Sequence, residues 1–128
     1  MKLLLDTHAL LWWLAGDAQN LSKRARDAIE NADNSVFVSA ASAWEISTKQ
    51  RLGKLDAGVL SGQMAQIIAR QTFIALDISM EHAERAGALS GAHRDPFDRM
   101  LIAQAQAENL TLVSNETAFE GYGVGRIW

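Results

Sequence analysis

The sequence predicts an α/β fold, a parallel sheet of four to five strands with helices on both faces. Three observations predict it. Short apolar runs recur along the chain without the polar alternation of a half-exposed strand. Between them lie stretches with apolar residues at helical spacing. Asp, Ser, Gly and Pro stand where those stretches start or stop.

Lys2-Leu3-Leu4-Leu5 is the first apolar run, and a helix follows from about Ala9 to Ala15, ended by Gly16. Ser22 is placed to cap a helix over Lys23–Asn31, with Ala25, Ala28, Ile29 and Ala32 on one face. Ser35-Val36-Phe37-Val38 is the second strand, and Ala41–Leu52 a helix stopped at Gly53. Val59–Arg70 carries Leu60, Met64, Ile67 and Ile68 at helical spacing. Phe73–Leu76 is the third strand and Met80–Leu89 the next helix. Asp95-Pro96 opens a further helix, because aspartate caps well and proline suits the first helical position. Leu110–Val113 is the fourth strand, and Val124–Trp128 holds a short fifth.

Length and composition bound the rest. The 128 residues, 48% of them apolar and 21% charged, suit a single domain over 1–128 with one core. One proline and nine glycines exclude a disordered or collagen-like chain. The absence of cysteine excludes a disulfide framework, a thiolate zinc site and thiol chemistry, and fits the reducing cytoplasm. Asp6 and His8 interrupt the apolar N-terminus, leaving runs far short of the roughly 20 residues that span a bilayer. The reading is a soluble cytoplasmic protein with no membrane partner. Twelve basic against fifteen acidic residues give a net charge of −3, which taken alone argues against a nucleic-acid partner.

Ligands of open parallel sheets bind beyond the carboxyl ends of the strands, and acids cluster there. Asp6 ends the first strand, Glu45 lies early in the helix after the second, and Glu116 follows the fourth. Asp98 sits in the first turn of the helix before the fourth strand. Adjacent strands lie about 4.8 Å apart, so the four acids can converge. Two carboxylates 4 Å apart repel by about 1 kcal/mol in water and by several at a partly buried site. Raised pKa values or a bound cation resolve such repulsion, and all-oxygen ligands select a hard ion such as Mg²⁺ or Mn²⁺. Each acid also has a structural reading. Asp6 can cap a helix, Ser42–Glu45 matches a capping box, Asp98 can support a helix start, and Glu116 can open a helical turn. Asp95 is read as an N-cap.

The remaining candidates are weaker. His8 and His93 are read as local hydrogen-bonding groups. Lys49, Arg51 and Lys54 form a small basic cluster that can meet phosphate. Gly121, Gly123 and Gly125 lack the spacing of a dinucleotide loop, and neither a Walker A sequence nor a GxSxG elbow is present.

Four stretches in this order resemble the PIN-domain proteins, particularly toxins of the VapC type. They are Leu4-Leu5-Asp6-Thr7-His8-Ala9-Leu10-Leu11-Trp12, Ser39-Ala40-Ala41-Ser42-Ala43-Trp44-Glu45-Ile46, His93-Arg94-Asp95-Pro96-Phe97-Asp98-Arg99-Met100-Leu101-Ile102-Ala103-Gln104-Ala105 and Leu112-Val113-Ser114-Asn115-Glu116. The tail from Tyr122 to Trp128 also fits. The resemblance implies a three-layer α/β/α domain and an endoribonuclease that uses one or two Mg²⁺ or Mn²⁺ ions. By position, Asp6, Glu45 and Asp98 match three acids found in most members, as metal ligands and catalytic groups. Glu116 falls where the family usually has Asp in a Thr-x-Asp pattern, here Ser114-Asn115-Glu116, so its longer side chain implies a fourth ligand that reaches metal directly or through water. Thr7, Ser114 and Asn115 would support the acids, and Lys49, Arg51 and Arg99 would contact RNA. The implied reaction is in-line attack of metal-activated water on an RNA phosphodiester, leaving 5′-phosphate and 3′-hydroxyl ends. The implied partners are a small antitoxin, for which the apolar surplus at Trp12, Trp13 and Trp44 offers a groove, and a second copy in a homodimer.

Two other classes compete. A catalytically inactive binding or regulatory module of the same fold predicts no metal-dependent cleavage. A phospho-accepting signalling domain needs a lysine near the last strand, and none follows Lys54. Without the four site acids, 12 basic face 11 acidic residues, so the net charge no longer argues against RNA.

Overall fold

A computed structural model describes residues 1–56, 58–60 and 62–128. Five strands, β1 (Lys2–Leu5), β2 (Ser35–Ser39), β3 (Ile74–Leu76), β4 (Thr111–Val113) and β5 (Arg126–Ile127), form one parallel sheet in the order β3-β2-β1-β4-β5. The helices are α1 (Thr7–Ala15), α2 (Lys23–Glu30), α3 (Ala40–Arg51), α4 (Met64–Arg70), α5 (Met80–Ala88) and α6 (Pro96–Glu108). Short 3₁₀ turns lie at Gly58–Leu60 and Thr117–Tyr122.

Strand residues alternate between two cores, as a sheet covered on both faces requires. Leu3, Leu5, Val36, Val38 and Val113 face one layer with Leu10, Ala25, Ile29 and Ile68 of α1, α2 and α4. Leu4 and Leu112 face the other with Leu101, Ile102 and Ala105 of α6 and with Phe119. Helix α3 serves both cores, through Ile46 on the first and Ala41 on the second. The expected α/β/α layering is therefore present.

The structure moves several boundaries, each for a local reason. Helix α1 begins at Thr7 rather than Ala9, because the Asp6 carboxylate accepts from the Ala9 amide at 2.8 Å. Ser39, not Ser42, caps α3, accepting from the Ala41 amide at 2.9 Å. The expected capping box at Ser42–Glu45 is thus absent, and both residues lie inside the helix. The single helix expected over Val59–Arg70 is instead a 3₁₀ turn and the separate α4, with Ser61 outside the described residues. Asp95 does cap α6, accepting from the Phe97 and Asp98 amides at 2.8 and 3.2 Å, with Pro96 at the first turn. Asn109 ends α6 in the left-handed region, so β4 starts at Thr111.

Strand order reverses at β1, which sends its crossovers to β2 on one side while β4 lies on the other. The crevice of such a sheet opens at this switch point, beyond the carboxyl ends of β1 and β4. Among the described residues, no helix is long and apolar enough to cross a membrane.

Candidate active site

Register places the site. Leu5 pairs with Val38 on one side and Val113 on the other, so Asp6, Ser39 and Ser114 stand in one row at the sheet's carboxyl edge. The Asp6 amide donates to the Val113 carbonyl at 3.1 Å and the Ser114 amide to the Ile127 carbonyl at 3.2 Å, which closes this row over the switch point. A cavity of about 360 Å³ opens above it, and Asp6, Glu45, Asp95, Asp98 and Glu116 all line it, with Thr7, Lys49 and Asn115. The structure therefore brings the four expected acids together and adds Asp95.

Each acid is held by a partner of its own. Asp6 is buried, caps α1 and is hydrogen-bonded by Ser114. Burial pushes its carboxyl up, Ser114 and the Ala9 amide oppose this, and Glu45 adds to it. Glu45 is buried on the inner face of α3, where the Thr7 hydroxyl donates to Oε1 at 2.6 Å and Lys49 Nζ bonds Oε2. Lys49 follows at i+4, the spacing that stacks side chains on one helix face. Glu45 first, then Asp95 and Asp98, hold the Lys49 ammonium above its usual range. His93 Nε2 lies 3.2 Å from Asp98 Oδ2. Asp98 is pushed up to about 7, by burial first and then by the charges of Asp95, Glu45, Asp6 and Glu116. Glu116 is exposed and caps the 3₁₀ turn, accepting from the Ala118 amide at 3.1 Å.

Two expected substrate contacts fall elsewhere. Arg99 is half-buried and donates to the carbonyls of Leu89 and of His93, the latter at 2.9 Å. It fastens the segment before α6. Arg51 is exposed at the end of α3 and does not line the cavity. The reading of residues alone made His93 a local group, and its contact with Asp98 was missed. The sign was its place five residues before Asp98, across a capped helix start that turns the chain back. Trp12 lines the cavity rim beside His8, stacked at 5.5 Å, while exposed Trp44 packs edge-on against Phe97.

The donor set fits a hard divalent cation. The acids offer carboxylate oxygens, which suit such an ion, and Thr7 and Ser114 add hydroxyls beside Glu45 and Asp6. Asp98 at about 7 shows a surplus of negative charge that a cation would relieve. Among the described residues no three His, Asp or Glu side chains stand together as a ready-made metal group. Both Glu45 oxygens are engaged, by Thr7 and by Lys49.

Fold and cavity define a class, α/β proteins whose chemistry is carried by carboxylates at the carboxyl edge of one parallel sheet. Within that class the chain belongs to the PIN-domain family, which it matches over residues 3–124. PIN domains are nucleases. No curated protein matches the sequence at a significant level. Solved structures share the fold at low identity. VapBC2 from Rickettsia felis, bound to a DNA fragment from their promoter, has a TM-score of 0.70 at 18% identity, over 98% of this chain and 97% of that one. DNA-bound VapBC from Salmonella typhimurium has a TM-score of 0.67 at 18% identity, over 98% and 96%. A toxin–antitoxin complex from Klebsiella pneumoniae has a TM-score of 0.57 at 24% identity, over 89% and 86%.

Proposed function

We propose that this PIN domain is a Mg²⁺- or Mn²⁺-dependent endoribonuclease, the toxin of a toxin–antitoxin pair, acting in the cytoplasm as a homodimer that a small antitoxin inhibits. The observation that carries the catalytic part is the convergence of Asp6, Glu45, Asp98 and Glu116 on one cavity at the switch point, with Asp98 pushed up to about 7. Membership of a nuclease family and likeness in fold to a toxin–antitoxin complex support the rest.

Asp6, Glu45 and Asp98 would hold the cation, with Glu116 as a more distant fourth acid because its carboxylate also caps a turn. Bound there, one or two ions would supply neutralising charge and the Lewis acidity that phosphodiester hydrolysis needs. The chain's own residues do the remainder. Ser114 and the Ala9 amide fix the Asp6 carboxylate toward the crevice. Thr7 holds Glu45 Oε1, leaving Oε2 to exchange one cation for another. His93 orients Asp98 Oδ2. Lys49 is the pocket's own counter-cation and sits at its rim, 35% exposed, free to turn from Glu45 toward the phosphate of an incoming strand.

Purified protein is expected to cleave RNA with Mn²⁺ or Mg²⁺, to lose that activity in excess EDTA and to regain it on adding metal back. Sequencing RNA 5′ ends after brief induction, against an Asp6→Asn control, identifies the target. Cleavage undiminished by EDTA overturns the metal-dependent reading. Absence of cleavage with Mn²⁺ bound favours the inactive binding module. A second expectation concerns Lys49. Lys49→Ala removes a competitor for the site and leaves Glu45 unpaired. Without metal the variant should melt below wild type, and saturating Mn²⁺ should raise its Tm by more than it raises wild type's. Equal Mn²⁺ shifts in differential scanning fluorimetry would show that Lys49 does not balance the pocket.

A further inference from the structure

A second, larger cavity adjoins the acidic one. It encloses about 800 Å³, and Glu116 lines both. Its walls are the segment 89–94 on one side and the 3₁₀ turn with Ala118, Gly121 and Tyr122 on the other. Four features distinguish it from an incidental groove. First, its size is that of pockets that take small organic ligands, about 300–1,000 Å³. Second, Glu116 is the only acid in its lining among the described residues, so it is a route out of the acidic cavity along which a polyanion meets little repulsion. Third, Arg94 lines it, is exposed and has no ion-pair or hydrogen-bond partner among the described residues. Ser90, Gly91 and Ala92, which also line it, make no hydrogen bond among the described residues, so their peptide groups have no partner within the fold.

Fourth, the wall is held in place before any ligand arrives. Arg99 ties down the carbonyls of Leu89 and His93, and the His93 amide donates to Tyr122 Oη at 3.1 Å. Gly91 has φ +104°, and a Cβ there would stand 2.6 Å from Tyr122 Oη, so only glycine lets the wall lie this close. A preformed wall avoids an ordering cost on binding.

Resting on the ribonuclease reading above, we infer that this groove is the subsite for the nucleotide adjoining the scissile phosphate. Single-stranded RNA would pass over Glu116 from the acidic cavity into it. Arg94 would meet a backbone phosphate, and the free peptide groups of 90–92 would meet base or ribose edges, the mode in which proteins read unpaired RNA. The groove then selects the residue beside the cut.

The test uses a noncleaving Asp98→Asn background, a fluorescent single-stranded RNA and anisotropy titrations. Gly121 has ordinary φ, lies exposed, and a Cβ there meets nothing within 4 Å. Gly121→Trp therefore fills the groove without touching the core. It should weaken RNA binding about tenfold or more at unchanged Tm. Arg94→Ala should weaken it about threefold to tenfold and reduce the slope of log Kd against log salt by about one. Wild-type affinity and salt slope in both variants would overturn the subsite and leave the nuclease reading standing. If the background protein binds no RNA and the unsubstituted chain cleaves none, the nuclease reading fails and the subsite with it.

Discussion

Asp98→Asn should reduce RNA cleavage about 10³-fold, the several kcal/mol that a catalytic cation and its ligands contribute to phosphodiester hydrolysis. The same substitution should make the metal-free protein more stable at pH 8. Asparagine fits the same space and keeps an oxygen for His93 Nε2. What it removes is a charge held against burial and against Asp95, Glu45, Asp6 and Glu116. The sign of the pH dependence follows from the shift. In the folded chain Asp98 titrates at about 7, above its ordinary 3.8. Between those values the folded state holds a proton that the unfolded state has lost, so stability falls as pH rises through the window. The cost is complete above pH 7 and absent below about 4. Circular-dichroism melts in EDTA should therefore show Asp98→Asn several degrees above wild type at pH 8, with the gap narrowing toward pH 5. A variant that melts below wild type at pH 8 would show that Asp98 is not under like-charge strain. A variant that cleaves RNA at full rate would remove Asp98 from the reaction.

Strongly perturbed carboxylates cluster at functional sites, and the residues around Asp98 were only partly legible in the sequence. The strands and their order of appearance were legible because sheets buried on both faces demand runs such as Leu3-Leu4-Leu5, which nothing else in the chain explains. The caps at Ser22 and Asp95 were legible because capping is a local contact within three residues. Ser42–Glu45 matched the spacing of a capping box yet lies inside α3, since β2 runs on to Ser39 and that residue takes the role. Spacing does not say which serine the chain reaches first. The acids were legible as strand-end residues, but their partners were not. Thr7 meets Glu45 across 38 residues, and Ser39 meets the buried Gln104 at 2.5 Å across 65. Such contacts exist only once the sheet sets β1, β2 and α6 side by side. Arg99 shows the converse. Beside a site acid it reads as a substrate contact, but its guanidinium donates to two carbonyls of the preceding segment.

Phe119→Ala should be the most damaging single change to stability outside the strands. The ring is fully buried among Leu4, Ala41, Leu101, Ile102, Ala105, Leu110 and Leu112. Truncating a buried phenylalanine costs about 3–5 kcal/mol in lost transfer energy and cavity, against about 5–15 kcal/mol for a whole domain. For a chain of this length that lowers Tm by about 10 °C or more. The position also couples core to site. Phe119 sits in the 3₁₀ turn that Glu116 caps, and its ring stacks on His93 at 5.9 Å. Emptying that space takes support from two groups at the acidic cavity, the His93 that contacts Asp98 and the Glu116 that lines both cavities. Phe119→Leu separates the effects. It refills most of the volume, costs less than about 1.5 kcal/mol and loses the ring that backs His93. Its Tm should return close to wild type while cleavage remains reduced. If Phe119→Leu restores stability and cleavage together, the ring acts on the site only by filling the core. If Phe119→Ala melts within a few degrees of wild type, the second core does not depend on this residue. Asp98→Asn and Phe119→Ala thus move stability in opposite directions while both lower activity. That pairing is expected where a strained acidic pocket is built on a closely packed core, and not where activity merely follows the folded fraction.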